Sequence, residues 1–134
     1  MKTGYAASAD FEYVLGHDHH LSGEVIRSKI ERGEVIVIHA QDKPVGWLRF
    51  NYFWDEIPFM NMLFVDEAQR GKGYARELIR FWEQEMQKRN FRWVMTSTLS
   101  NENAQHLYRK LGYRDCGSLF LPDEPLEIIL MKQL

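Results

Sequence analysis

The chain has 134 residues, the length of one ordinary domain. Apolar residues make up 45% and charged residues 27%, which is typical of a globular protein and excludes an intrinsically disordered chain. The 17 basic and 19 acidic residues leave a net charge of −2, so we expect no nucleic acid partner recruited by bulk charge. We therefore predict one domain over residues 1–134.

The cysteine content and the apolar runs indicate a cytoplasmic protein. Cys116 is the one cysteine, which excludes an internal disulfide and predicts a reduced thiol. Apolar runs such as residues 35–38 and 62–65 are far shorter than a membrane span requires, and Asp10 and Glu12 interrupt any signal-peptide core. We expect a cytoplasmic protein with no membrane association, either a monomer or a homodimer.

The first 65 residues predict helices followed by an antiparallel meander. Helical segments within residues 1–33 are predicted to be capped by Ser8 and Ser22 and to end at Gly33. The period then changes, and strands are predicted over residues 34–40, 45–54 and 58–65, with turns at 42–44 and 55–56. Short turns between consecutive strands favour antiparallel pairing.

The second half predicts an alternation of helices and strands. A long helix is predicted after Gly73, because apolar residues recur at the spacing of one helical face. These residues are Ala75, Leu78, Ile79, Trp82 and Met86. A strand (92–97), a helix (101–111) and two strands (113–120 and 126–132) complete the order. The expected fold class is α+β in three layers (α/β/α): a mixed, mainly antiparallel, twisted sheet of about six or seven strands with helices on both faces and a central β–α–β crossover.

A glycine-containing segment joins the third meander strand to the long helix. Its residues are Arg70, Gly71, Lys72, Gly73, Tyr74, Ala75 and Arg76. The first N–H groups of a helix are unpaired, and glycines allow several such groups to converge on one anion, so this segment predicts a pyrophosphate site. It matches neither a Walker loop nor a dinucleotide-binding fingerprint. The alternative is a tight β–α turn with a solvated basic rim.

A second motif runs from Asn101 to Tyr113, with Asn101 as the expected cap of the helix and Tyr108 two turns further along. Together the two motifs resemble those of the GCN5-related N-acetyltransferase (GNAT) superfamily. The family pattern [QR]xxGx[GA] is matched by Arg70, Gly73 and Ala75, and the pattern NxxAxxxYxxxG[FY] is matched by Asn101, Ala104, Tyr108, Gly112 and Tyr113.

The resemblance implies acetyl-CoA as cosubstrate, no metal, and a small-molecule or peptide amine as acceptor. Backbone amides of residues 70–75 would bind the pyrophosphate, and Arg76 would add charge to this site. A bulge would separate the preceding strand from its neighbour. The pantetheine arm would pair with that strand at Leu63, Phe64 and Val65, and Asn101 would contact the same arm. An N–H near Leu63 would stabilise the developing oxyanion, and Tyr108 would donate a proton to the departing thiolate.

The sequence does not assign the general base that would take a proton from the amine acceptor. Thr96 stands where one branch of the family carries a glutamate, and the candidates are Asp55, Glu56 and His39, with a water chain or a neutral amine as alternatives. The sequence around His17, His19 and His20 matches no standard zinc spacing, so a solvated loop is favoured over a metal site, and contact with substrate stays open as an alternative role.

Two other functions stay open beside an N-acetyltransferase. The first is an acyl-CoA-binding sensor without transfer, which the missing base favours. The second is a nucleotide-binding domain, which would prefer ATP or ADP over CoA.

Overall fold

A computed structural model describes all residues, 1–134, and contains seven β-strands and four α-helices. The strands are β1 (Lys2–Tyr5), β2 (Val35–Ala40), β3 (Lys43–Phe53), β4 (Ile57–Val65), β5 (Trp93–Leu99), β6 (Arg114–Leu119) and β7 (Glu127–Gln133). The helices are α1 (Phe11–His17), α2 (Gly23–Glu31), α3 (Tyr74–Lys88) and α4 (Ala104–Lys110). None of these helices combines the length and hydrophobicity that crossing a bilayer requires.

The strands form one mixed sheet in the order β1-β2-β3-β4-β5-β7-β6. β1 pairs antiparallel with β2, and β2 with β3, while β5 pairs antiparallel with β7 and β7 with β6. The parallel pair is β4 with β5, in the register Phe59 to Met95 and Met60 to Thr96. The predicted α+β fold, with its meander and its crossover, is confirmed.

The residue contacts group into two compact units, and whether the chain acts as the single domain predicted above stays a prediction. Unit 1 comprises residues Met1–Phe50 and Met62–Glu85, and unit 2 comprises Asn51–Asn61 and Met86–Leu134. In unit 1, a buried cluster that includes Phe11, Val14 and Trp47 joins α1 and α2 to the strands. Unit 2 has a buried centre on β5 and β7, where Val94, Met95 and Leu130 have at most 3% of their surface exposed.

Local capping explains where the first helices begin. The Ser22 hydroxyl accepts from the Val25 amide at 3.3 Å, as predicted. Ser8, however, begins a short 3₁₀ turn and does not cap α1. The Asp10 carboxylate accepts from the Ala7 amide at 2.8 Å instead, because a carboxylate three residues on can reach back to that donor.

Several boundaries differ from the sequence prediction. Residues 2–5 were expected in a mostly helical segment but form strand β1, because pairing with β2 provides hydrogen bonds that four residues cannot provide alone. The two meander turns are centred one residue or more earlier than predicted, on Gln41–Asp42 and Trp54–Asp55, all with φ between 53° and 64°. Such two-residue turns match the twist of a hairpin, although glycine or asparagine usually occupies these positions.

Candidate active site

The glycine loop (residues 70–75) lies in unit 1 and connects the end of β4 to α3. Gly71 and Gly73 have φ values of +77° and +88°, which side chains rarely adopt. A Cβ at either position would meet nothing within 4 Å, so the backbone conformation, and not space, requires glycine there. The first α-type bond of α3 runs from the Glu77 amide to the Gly73 carbonyl at 3.1 Å, which leaves the preceding amides of the helix start without helical partners. The anion site stays a prediction, with the backbone amides at the start of α3 as its candidate donors.

Two basic side chains of this loop make hydrogen bonds within the protein. Arg70 Nε donates to the Val65 carbonyl at 2.9 Å, and its guanidinium lies 5.8 Å from the Phe64 ring centre. Lys72 Nζ donates to Gln69 Oε1 at 3.0 Å. A carbonyl has two lone pairs, so Val65 can still accept a second hydrogen bond.

Gly46 holds β3 close to the end of β4, a contact that sequence reasoning missed. A Cβ at Gly46 would lie 2.8 Å from the Phe64 carbonyl oxygen and 3.3 Å from the Val65 side chain. The Asp66 amide donates to the Val45 carbonyl at 2.8 Å just beyond this contact. The backbone at Phe64 and Val65, where pantetheine pairing is predicted, is therefore fixed from the β3 side. A glycine inside a strand is the sequence signal for such a close approach.

Helix α1 is tied to the same end of β4. Tyr13 donates its hydroxyl proton to Asp66 Oδ1 at 2.7 Å, and burial followed by this bond raises the pKa of Tyr13. The His17 ring lies 5.0 Å from the Phe64 ring, and His17 Nδ1 is 2.7 Å from the Tyr13 carbonyl. The histidine-rich segment is thus connected, through His17, to the strand that precedes the glycine loop.

Asp18, inside that histidine-rich segment, makes a buried ion pair with Arg49. Arg49 Nε donates to Asp18 Oδ2 at 2.8 Å, and the amides of His20 and Leu21 donate to Oδ1 at 2.9 and 3.2 Å. Burial alone would raise the pKa of Asp18, but these hydrogen bonds hold the pKa below its ordinary value. The Asp18 carboxylate therefore orders the segment between α1 and α2.

Tyr108 lies in unit 2, on α4, with 5% of its surface exposed. Its ring centre is 5.9 Å from that of Tyr113. Burial raises the pKa of Tyr108 to about 12; the Thr96 hydroxyl acts against this increase, and the charges of Glu102 and Glu127 add to it. The phenol is therefore protonated throughout the neutral range.

Asn101 does not cap α4, contrary to the sequence prediction. It lies exposed in the turn after β5, and the helix begins three residues later, at Ala104. The entry to α4 is held by its neighbours instead: Glu102 Oε1 accepts from the Leu99 amide at 2.8 Å, and Gln105 Nε2 donates to the Ser100 carbonyl at 2.8 Å. These local bonds leave Asn101 outside the helix, because they close the turn before the first helical residue. Its contact with the pantetheine arm stays a prediction.

The carboxylates near Tyr108 were missed, and the sequence candidates for a base lie elsewhere. Asp55 and Glu56 are exposed at the β3–β4 turn, and His39 Nε2 is bonded to Asp10 Oδ1 at 2.9 Å. Glu127, in contrast, accepts from Ser97 Oγ at 2.9 Å. The signal for Glu127 was absent from the sequence, because only the β5–β7 register, with Leu99 opposite Glu127, brings it to β5.

Comparison with known proteins identifies the family. The sequence model of the Acetyltransferase (GNAT) family matches residues 6–113, so the chain belongs to this family. A UPF0039 protein of Schizosaccharomyces pombe is 30% identical over 101 residues, which are 75% of this chain and 67% of that protein. An acetyltransferase of Agrobacterium fabrum is 36% identical over 74 residues, which are 55% of this chain and 46% of that protein. The matched region therefore spans about two thirds of the Schizosaccharomyces pombe protein and about half of the Agrobacterium fabrum protein.

Solved structures share the fold at low sequence identity. The ribosomal-protein-alanine N-acetyltransferase of Brucella melitensis superimposes with a TM-score of 0.85 at 17% identity, over 100% of both chains. A putative streptothricin acetyltransferase of Bacillus anthracis, solved in complex with acetyl coenzyme A, gives a TM-score of 0.69 at 20% identity, over 75% of this chain and 61% of that chain. At these identities the likeness extends to the fold alone.

Proposed function

We propose that this protein is an acetyl-CoA-dependent N-acetyltransferase that transfers the acetyl group directly to an amine. The observation that carries the proposal is the glycine loop: two glycines in the left-handed conformation at the start of α3, in a chain of the GNAT family. Such a loop presents backbone amides to an anion, and the pyrophosphate of acetyl-CoA is the anion that this family binds.

The donor would be held by backbone groups. The amides of residues 70–75 would bind the pyrophosphate, with charge from Lys72 and Arg76. The backbone at Leu63, Phe64 and Val65 would pair with the pantetheine arm, and the amide near Leu63 would stabilise the oxyanion of the tetrahedral intermediate. Gly46 supports this assignment, because it fixes β4 at these residues.

Tyr108 would be the general acid. Attack of the amine on the thioester carbonyl expels the CoA thiolate, which needs a proton. A buried phenol with a pKa of about 12 carries its proton at every pH at which the enzyme would work, so the proton is present when the thiolate leaves. Cys116 is exposed on β6 and lies outside both motifs, so we propose no acyl-cysteine intermediate.

The proposal is tested first by thermal unfolding with acetyl-CoA, with ATP as the control. Ligand at 100 times its Kd stabilises the native state by about 2.7 kcal/mol, which raises the melting temperature of a domain of this size by several degrees. We expect the shift with acetyl-CoA and not with ATP. A shift with ATP alone would favour the nucleotide-binding alternative.

Transfer is then tested by the release of free thiol from acetyl-CoA. The acceptors are a primary alkylamine, an arylalkylamine, a polyamine and a peptide with a free N-terminus. We expect release with at least one of them, and mass spectrometry should show the acetylated amine. A protein that is stabilised by acetyl-CoA but acetylates none of these amines would be the acyl-CoA-binding sensor instead.

A further inference from the structure

The proposed transfer needs a base, because an ammonium group has no lone pair with which to attack a thioester. The base must lie beside residues 63–65 of β4, where the proposed function puts the pantetheine arm and the oxyanion amide. Three titratable side chains of unit 1 meet at this end of β4; they are Tyr13, His17 and Asp66.

Two of these three side chains are less suited to accept a proton. Tyr13 donates its own proton to Asp66 Oδ1 at 2.7 Å, and this bond adds to burial in raising the pKa of Tyr13. Asp66 uses that oxygen as the acceptor, and a carboxylate is in general a weaker base than an imidazole. Asp18, which follows His17 in the chain, is paired with Arg49. His17 is therefore the remaining candidate.

The contacts of His17 fix which of its ring nitrogens can accept a proton. Nδ1 lies 2.7 Å from the Tyr13 carbonyl, and a carbonyl only accepts, so Nδ1 carries the proton of the neutral ring. Nε2 then presents a lone pair. It lies 3.9 Å from Asp66 Oδ1, beyond hydrogen-bond distance, and 37% of the side chain is exposed, so a ligand can reach the ring.

The surroundings of His17 suit the positive charge that proton uptake would create. The Asp66 carboxylate, 3.9 Å from Nε2, favours the charged ring. The ring centres of Tyr13 and Phe64 lie 4.5 and 5.0 Å from that of His17 and fix the orientation of the imidazole. An oriented imidazole with one open nitrogen thus lies against the side chain of Phe64, the residue next to Leu63.

We propose, on the basis of the function proposed above, that His17 is the general base that takes a proton from the amine acceptor through Nε2. An N–H bond of the ammonium breaks, its electron pair stays on nitrogen, and the nitrogen attacks the thioester carbonyl carbon. The C–S bond then breaks, and the thiolate takes the Tyr108 proton. The nitrogen and His17 each release a proton to water, and Tyr108 regains one from water. One ammonium and one acetyl-CoA thus give one amide, one thiol and one proton.

The test compares two acceptors that differ in whether a proton has to be removed before attack. The first is the fastest amine of the panel above, in its protonated form at neutral pH. The second is its analogue with fluorine atoms on the carbon next to the aminomethyl group, because electron withdrawal leaves that nitrogen neutral. The variants are His17→Gln, whose amide can still donate to the Tyr13 carbonyl, and His106→Gln, the same substitution at an exposed histidine of α4.

We expect His17→Gln to lower kcat by roughly 10²–10⁴-fold with the protonated amine, the usual contribution of a general base, and by less than about tenfold with the neutral amine. The Kd for acetyl-CoA should stay unchanged, and His106→Gln should match the parent.

Two further variants sharpen the test. Imidazole in solution should raise the rate of His17→Ala at least about tenfold, because a free base can enter the space that the ring leaves. This variant also replaces His17→Gln if the latter does not fold. Asp66→Asn should lower kcat only about two- to fivefold, the value of an exposed charge pair.

Two results would overturn the proposal while the transferase stands. Unchanged kcat in His17→Gln would remove His17 from the chemistry. An equal loss with both acceptors, without rescue by imidazole, would show that the ring only supports the structure. A loss in His17→Gln beside an unchanged Tyr108→Phe would support the base and reject the general acid alone. Absence of thiol release by the parent with every amine would reject the transferase, and the base with it.

Discussion

The exposed glycine loop of unit 1 and the buried hydroxyl of Tyr108 in unit 2 differ in which atoms would carry their function. In the loop these are backbone amides, and Gly71 and Gly73 contribute by having no side chain. At Tyr108 it is one oxygen atom, whose pKa is raised mainly by burial and changed further by Thr96, Glu102 and Glu127. A function carried by several amides should lose strength gradually when one residue changes, whereas a function carried by one oxygen should be lost with that atom.

The largest effect should follow removal of that oxygen. We expect Tyr108→Phe to lower kcat by roughly 10²–10⁴-fold, the usual contribution of a general acid, and to leave the affinity for acetyl-CoA nearly unchanged. Steady-state thiol release gives kcat, and calorimetric titration with acetyl-CoA gives the Kd. Tyr113→Phe is the matched control, since its ring packs 5.9 Å from that of Tyr108. If the control lowers kcat equally, the loss reflects packing and the contrast between the two regions fails.

A smaller effect, on binding alone, is expected in the glycine loop. Alanine at Gly73 must adopt φ near +88°, which costs about 1–2 kcal/mol, so the loop should relax and misalign its amides. We expect Gly73→Ala to weaken acetyl-CoA binding about tenfold, with kcat at saturation little changed.

Gly71→Ala sharpens this test, because position 71 lies outside the fixed positions of the family pattern although its φ is +77°. If the left-handed backbone conformation is what acetyl-CoA binding requires, both Gly71→Ala and Gly73→Ala should weaken that binding. The control is Gly4→Ala, where a Cβ meets nothing within 4 Å and φ is not in the left-handed region. Normal binding by Gly73→Ala would mean that the segment is only a turn.

The same contrast explains what could be predicted from the sequence. The strand, the loop and helix α3 are consecutive, and their glycines and 3.6-residue periodicity are local signals, so the loop was located correctly. The residues that affect the pKa of Tyr108 include Thr96 of β5 and Glu127 of β7. The bond from Thr96 to Met60 joins residues 36 positions apart. Such contacts depend on strand order and register, which local patterns do not encode.

The boundaries that were missed have the same origin. The β1 strand exists because β2 pairs with it, and its four residues have no strong strand signal of their own. The turns at Gln41–Asp42 and Trp54–Asp55 lack glycine, so polar residues further along suggested turns that begin too late. Tertiary pairing overrides the weak local preference in both cases.

The smallest expected effect is on the pH dependence of kcat. It tests how burial changes the pKa of Tyr108, and not whether the Tyr108 hydroxyl is needed. An ordinary tyrosine ionises near pH 10, and a general acid of that pKa would be half lost at pH 10. Because burial raises the pKa of Tyr108 to about 12, its donor form should persist, and kcat should stay nearly constant between pH 8 and 10, where an ordinary tyrosine would lose half of it. The unfolded chain ionises Tyr108 near pH 10 and the folded protein only near pH 12, so the stability that this tyrosine contributes is present below pH 10 and is lost above it.

The rates are therefore measured at saturating acetyl-CoA and amine up to pH 10, where the fold should hold, with Tyr108→Phe assayed in parallel. A fall in kcat to about half by pH 10, present in the parent and absent from Tyr108→Phe, would mean that the working form of Tyr108 is not the buried one.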